Sequence, residues 1–245
     1  MRSRRQKVRR TTLALLFLAL PITLNYYSPY LMISGTAEKI ATFSLVLWLT
    51  IFATSLVLGR SFCGWACPFN GLQQLWEAVG VRPLKRVRFL PAVKYALWGE
   101  WVAGLVAVAV SVGGWSRFDP LYMTESGVSV TDPGNYVTYF MLVVLTLAPA
   151  ALARRGFCRY LCPFGVWGIV GERLGRIMHI PRLRLNVAPE RCTSCGSCSK
   201  ACPMQLDVAG MVASGSMTET ECFMCETCVD TCPTRVIGLG FGTAR

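Results

Sequence analysis

One histidine, His179, occurs in 245 residues. A b-type haem held by two axial histidines is therefore excluded. Charge is scarce as well: 16% of the residues are charged and 53% are hydrophobic, with a mean hydropathy of +0.44. So little charge cannot clothe a small soluble core, and it is too hydrophobic for a disordered chain. Acidic residues are the scarcest charges, 13 against 25 Lys and Arg, for a formal charge of +12. A nucleic-acid binder of this basicity would spread it over a polar surface, which is missing here, so no nucleic-acid partner is expected. What the chain does have is apolar runs and twelve cysteines.

Four stretches, residues 11–33, 41–58, 95–115 and 137–153, approach the roughly 20 apolar residues needed to cross a bilayer as helix. Tyr and Trp near several of their ends read as interfacial belts. Arg2, Arg4, Arg5, Lys7, Arg9 and Arg10 precede the first stretch. Arg60, Arg82, Lys85, Arg86, Arg88 and Lys94 separate the second from the third, and eleven more basic residues follow the fourth. Only Lys39 and Arg117 fall on the other side. The positive-inside rule thus predicts a multi-pass protein of the cytoplasmic (inner) membrane, with both termini and all twelve cysteines cytoplasmic. The arginine-rich start also has the look of a secretory or twin-arginine signal. No convincing small-residue cleavage site follows it, and Tyr26, Tyr27 and Tyr30 read as a belt, so it is expected to remain as an anchor.

An internal repeat organises the membrane half. Arg60-Ser61-Phe62-Cys63-Gly64-Trp65-Ala66-Cys67-Pro68-Phe69 recurs as Arg155-Gly156-Phe157-Cys158-Arg159-Tyr160-Leu161-Cys162-Pro163-Phe164, at an offset of 95; Glu77 aligns with Glu172 and Gly80 with Gly175. Each copy follows a two-span hairpin, which predicts parallel halves about an axis along the membrane normal. A single Cys-x-x-x-Cys-Pro offers two thiolates and a cubane takes four, so Cys63, Cys67, Cys158 and Cys162 are predicted to share one 4Fe–4S cluster at the cytoplasmic boundary. The alternative is two metal-free thiol pairs. Residues 72–79 and 167–178 have amphipathic character and are read as interfacial or plain packing helices.

From residue 181 the chain changes character. Cys192, Cys195, Cys198 and Cys202-Pro203 form a C-x-x-C-x-x-C-x-x-x-C-P run, repeated by Cys222, Cys225, Cys228 and Cys232-Pro233. In this bacterial two-cluster pattern the fourth cysteine of each run serves the other cluster. The predicted ligand sets are Cys192, Cys195, Cys198 and Cys232, and Cys222, Cys225, Cys228 and Cys202. Zinc would need only two C-x-x-C pairs, and a cytoplasmic location disfavours disulfides. Short apolar runs at 183–186 and 236–239 are expected to pair as strands.

The predicted architecture is an all-α four-helix transmembrane domain built of two repeated hairpins (1–180). A small α+β two-cluster ferredoxin domain (181–245) follows it. Glu100, inside the third stretch, is a candidate proton acceptor for a quinol, or an interfacial carboxylate paired with Lys94 or Arg88. His179 reads as structural, and Trp65, Trp76 and Trp98 as belt or packing residues before quinone-stacking ones.

GRSFCGWACPFN, the second FCRYLCPFG, the four-span layout and the double ferredoxin run resemble the NapH family of ferredoxin-type membrane subunits, related to the MauN and NosR families. The resemblance covers nearly the whole chain from about residue 10. It implies electron transfer between the membrane quinone pool and a partner, another iron–sulfur or cytochrome subunit, in a quinol dehydrogenase-type complex. Two rival readings stand beside it: flow from cytosolic ferredoxin into the membrane, and a maturation or regulatory protein that reduces a metal site without quinone turnover.

Overall fold

The computed structural model describes residues 3–78, 90–151 and 153–243. Arg2, Gly80, Arg82, Lys85, Arg86, Arg88 and Arg245, used above for orientation, the repeat or ion pairing, lie outside the described residues.

The first predicted span is not one helix. It is α1 (Arg4–Leu18), α2 (Leu20–Tyr27) and α3 (Pro29–Ala37), with α1 and α2 bent by 83°. Pro21 sits in the first turn of α2 and Pro29 opens α3. A proline lacks the N–H and collides with the preceding turn, so each restarts the helix in a new direction. A short strand, β1 (Ile40–Thr42), leads into α4 (Phe43–Leu58). At 16 residues, α4 is about 24 Å long, short of the roughly 30 Å of hydrocarbon.

The repeat is visible in the fold. Helix α5 (Ser61–Trp65) carries Cys63, and α6 (Pro68–Ala78) opens at the proline after Cys67. After α7 (Pro91–Val112), β2 (Arg117–Asp119), which pairs parallel with β1, and α8 (Pro133–Leu147), the same pattern returns. Helix α9 (Gly156–Tyr160) carries Cys158 and α10 (Pro163–Ile177) opens after Cys162. The fourth predicted span also ends early: α8 gives way to a 3-10 turn, Ala148–Ala151, that contains Pro149. Among the described residues only the 22-residue α7 is both long and apolar enough to cross a membrane unbroken.

Packing explains why α10 is a core helix rather than an interfacial one. A methyl group on Gly171 would overlap Ser55 Oγ, and one on Gly175 would overlap the Leu56 carbonyl, so α10 lies backbone to backbone on α4. Helix α6 crosses α1 just as closely at Gly71, against the Leu13 carbonyl. Trp48, Trp101 and Phe164 form the aromatic centre, with ring centroids 4.6 and 4.0 Å from Trp48, and this core reaches Cys67 and Cys162. The outward faces of α7 and α8 stay apolar and exposed at Val106, Val110, Phe140, Met141 and Val144.

The C-terminal module begins with β3 (Arg182–Val187), continues through α11 (Ser197–Ala201), α12 (Val208–Ala213) and α13 (Thr227–Thr231), and closes with β4 (Ile237–Gly242). The two strands pair antiparallel, with Leu185 opposite Leu239, as their apolar alternation anticipates.

Candidate metal centres

Four cysteines meet where the two repeat copies touch. Cys63, Cys67, Cys158 and Cys162 are all buried. Burial pushes the Cys67, Cys158 and Cys162 thiols up, and neighbouring cysteines of the same four push them further. Four such thiolates are stable together only around a cationic core. The donors are arranged for sulfur. Gln73 Nε2 donates to Cys158 Sγ at 3.1 Å while its Oε1 accepts from Phe157 N at 3.1 Å. The backbone N–H groups of Asn70 and Gly165 face Cys67 and Cys162. Buried cations surround the set. Arg155 Nη1 donates to the Asn70 carbonyl at 2.7 Å, and Arg60 Nη1 to the Thr220 carbonyl at 3.1 Å. Arg60 and Arg155 are one position of the repeat, three residues before each first cysteine.

Among the ferredoxin cysteines, one of the expected sets lines a cavity. Cys192, Cys195, Cys198 and Cys232 ring a cavity with an empty volume of about 360 Å³, counted to its open mouth, and Cys195 is exposed. Thr234 Oγ1 and Val236 N lie 3.6 and 3.4 Å from Cys232 Sγ. Burial works against the Cys232 thiolate, but these contacts prevail and leave the thiol below its ordinary value. Cys202, Cys222, Cys225 and Cys228 form the second set. Burial and the charges of the other cysteines raise Cys222 to about 12, and raise Cys228 as well. Among the described residues no three His, Cys, Asp or Glu side chains converge on one point as ligands of a single ion do. Cys192, Cys195, Cys198 and Cys232 line a volume instead, and an all-sulfur set of four is the donor chemistry of a cubane cluster.

The second set faces the helical half of the chain. Trp65 Nε1 donates to the Met224 carbonyl at 3.0 Å, so this indole is a docking residue. Arg159 donates to the Met204 carbonyl. Lys94, fully buried at the start of α7, donates to Glu221 Oε1, which corrects its suggested pairing with Glu100. Burial pushes the Glu221 carboxyl up, but Arg60 and Lys94 outweigh this and hold it below the usual range. Helix α1 also docks here: Arg5 pairs with Glu226 and Asp230, Gln6 Nε2 donates to the Cys225 carbonyl at 3.0 Å, and Arg9 to the Gly64 carbonyl at 3.2 Å. Arg5, taken as an orientation signal, therefore holds the ferredoxin module. Of these residues, only Arg60 and Arg155 had a signal in the sequence, their recurrence.

Glu100 stands apart, exposed on α7 with no hydrogen bond or ion pair among the described residues. His179 is exposed at the end of α10 with φ 55°.

Comparison with known proteins agrees with this geometry. A family described as a 4Fe-4S binding domain matches residues 40–86 and again 135–180, one match per repeat copy. A 4Fe-4S dicluster domain matches 191–237. The electron transport protein YccM of Escherichia coli is 25% identical over 224 residues, covering 87% of this chain and 60% of YccM. The ferredoxin-type protein NapH of Haemophilus influenzae is 26% identical over 82% of this chain and 71% of its own length. The methylamine utilization ferredoxin-type protein MauN of Methylorubrum extorquens is 31% identical over 60% of this chain and 48% of its own. The chain thus spans about three-fifths of YccM and half of MauN. No solved structure matches it. The matched families define a protein built of 4Fe-4S binding domains, two copies in the repeat and a dicluster domain at the C-terminal end. Within that class the chain is similar to the ferredoxin-type proteins NapH and MauN.

Proposed function

We propose that this chain is a multi-pass subunit of the cytoplasmic membrane that takes electrons from quinol and delivers them to a partner redox protein. The observation that carries the reading is the succession of three four-cysteine sets. One is buried against the apolar helical half, one packs on it, and one opens to solvent at Cys195. Cys63, Cys67, Cys158 and Cys162 would hold the boundary 4Fe–4S cluster. Cys222, Cys225, Cys228 and Cys202 would hold the next, and Cys192, Cys195, Cys198 and Cys232 the outermost. Such clusters, when bound, accept and release single electrons at potentials set by their surroundings. Oxidation of a quinol yields two electrons and two protons; the protons go to water or to Glu100, an exposed carboxylate on α7. The open mouth over Thr193, Ser194 and Cys195 is the face a partner iron–sulfur or cytochrome subunit would cover. The transmembrane reading rests on α7, the apolar outer face of α8 and the distribution of basic residues. Purified protein is given menaquinol or ubiquinol analogues and followed by EPR. Reduced-cluster signals on quinol addition are expected. Reduction by a low-potential ferredoxin but by no quinol would reverse the direction of flow.

A further inference from the structure

Arg60 is a fully enclosed charge three residues before Cys63, with 1% of its surface exposed. Its Nη1 donates to the Thr220 carbonyl and to Glu221 Oε2, each at 3.1 Å, and these residues lead directly into Cys222. Nε and Nη2 are buried without a hydrogen-bond acceptor among the described residues. A guanidinium left half-satisfied in a low-dielectric site is unfavourable unless something anionic lies close by. The protein nevertheless makes room for it: a methyl on Gly165 would come 3.0 Å from Nη2, and one on Gly168 would come 3.2 Å from the Arg60 Cγ. Both glycines belong to the first turns of α10, just after Cys162.

The charges facing Arg60 are Cys63 and Cys158 on one side and Glu221 on the other, with Lys94 beyond Glu221. Burial alone would lower the Arg60 pKa; these anionic neighbours raise it instead. The repeat makes the point sharper. Arg155, the equivalent residue, turns to the Asn70 carbonyl and Glu77 within the helical half, whereas Arg60 reaches across to the ferredoxin module.

We propose that Arg60 is a positioning residue that sets the redox potential of the boundary site, its fixed positive charge held between the Cys63–Cys158 side and the loop leading to Cys222. The inference rests on the reading that the four boundary cysteines hold a cluster. A fixed cation beside such a centre favours its more negative, reduced form, and donors to its sulfurs act in the same direction. Glu221 opposes Arg60 and moderates the effect.

The test is an EPR-monitored redox titration of the full chain in detergent, with iron content measured on the same samples. Arg60→Gln is expected to lower the boundary midpoint potential and Glu221→Gln to raise it. Arg60→Lys should retain most of the native value. The signal from the Cys192, Cys195, Cys198 and Cys232 set is the internal reference and should stay put. Opposite shifts from two members of one buried pair are an electrostatic signature that loss of packing does not produce. With about twelve iron atoms per chain retained, no shift or two shifts of the same sign overturns the inference alone. A native chain holding about eight iron atoms overturns the inference together with the boundary cluster it rests on.

Discussion

The α-carbon of Gly64, between Cys63 and Cys67, abuts the carbonyl oxygen of Phe223, between Cys222 and Cys225, so closely that a methyl group there would overlap that oxygen. Two cysteine loops 159 residues apart thus touch through bare backbone, and Trp65 and Met224 extend the contact by a hydrogen bond. Gly64→Val is expected to hold the two loops apart while each keeps its own ligands. Iron content stays native, and quinol-driven reduction of the ferredoxin-run signals slows in stopped-flow measurements.

Removing a boundary thiol separates the three sets by stoichiometry. Cys158→Ala is expected to lower iron from about twelve to about eight atoms per chain, leaving the two ferredoxin signals in place. Unchanged iron in this variant would return the paired motifs to metal-free thiols.

The α4–α10 contact is expected to tolerate no side chain. Gly175→Val forces a branched group into the Leu56 backbone and should cost about 1–3 kcal/mol, as overpacking does. Gly99→Ala on α7, where nothing lies within 4 Å, should be neutral or stabilise by up to about 1 kcal/mol through helix propensity. Thermal unfolding in detergent compares the two.

Gln6 is buried, and its side-chain amide joins the Cys225 carbonyl, the Asp230 carboxylate and Arg9. Gln6→Ala removes one partner from each of these groups, while Asp230 keeps Arg5 and Arg9 keeps the Gly64 carbonyl, and should cost about 1 kcal/mol. Amide hydrogen exchange should rise over residues 226–231 and over α1, and leave β3 and β4 unchanged.

Glu100→Gln is expected to slow quinol-driven reduction by about 10²-fold, the usual scale for losing a proton acceptor. Iron content and reduction by dithionite should not change. Native quinol rates in this variant would assign the protons to water.

Cysteine spacing could be read directly because it is local: α5 and α9 are the same five-residue turns at the predicted offset, and both strands start within one residue of their apolar runs, although β4 runs on to Gly242. The membrane helices were read less well. Hydropathy averages over Pro21, Pro29 and Pro149, whereas the backbone breaks at or beside each of them. The Lys94–Glu221 and Arg5–Asp230 pairs left no trace in the sequence. Nothing local distinguishes an arginine that faces lipid headgroups from one that folds back onto a module more than 200 residues later.

That last separation has a consequence for how the protein is made. Arg5 and Asp230 are 225 residues apart, and Gln6 and Cys225 are 219 apart. Helix α1 is synthesised long before the ferredoxin-module partners of Arg5 and Gln6 exist. Its docking turn must wait, solvated or on the membrane surface, until the second cysteine run has been synthesised. Closure of α1 over that run is therefore a late step of biogenesis, available only to a chain whose ferredoxin module has already emerged.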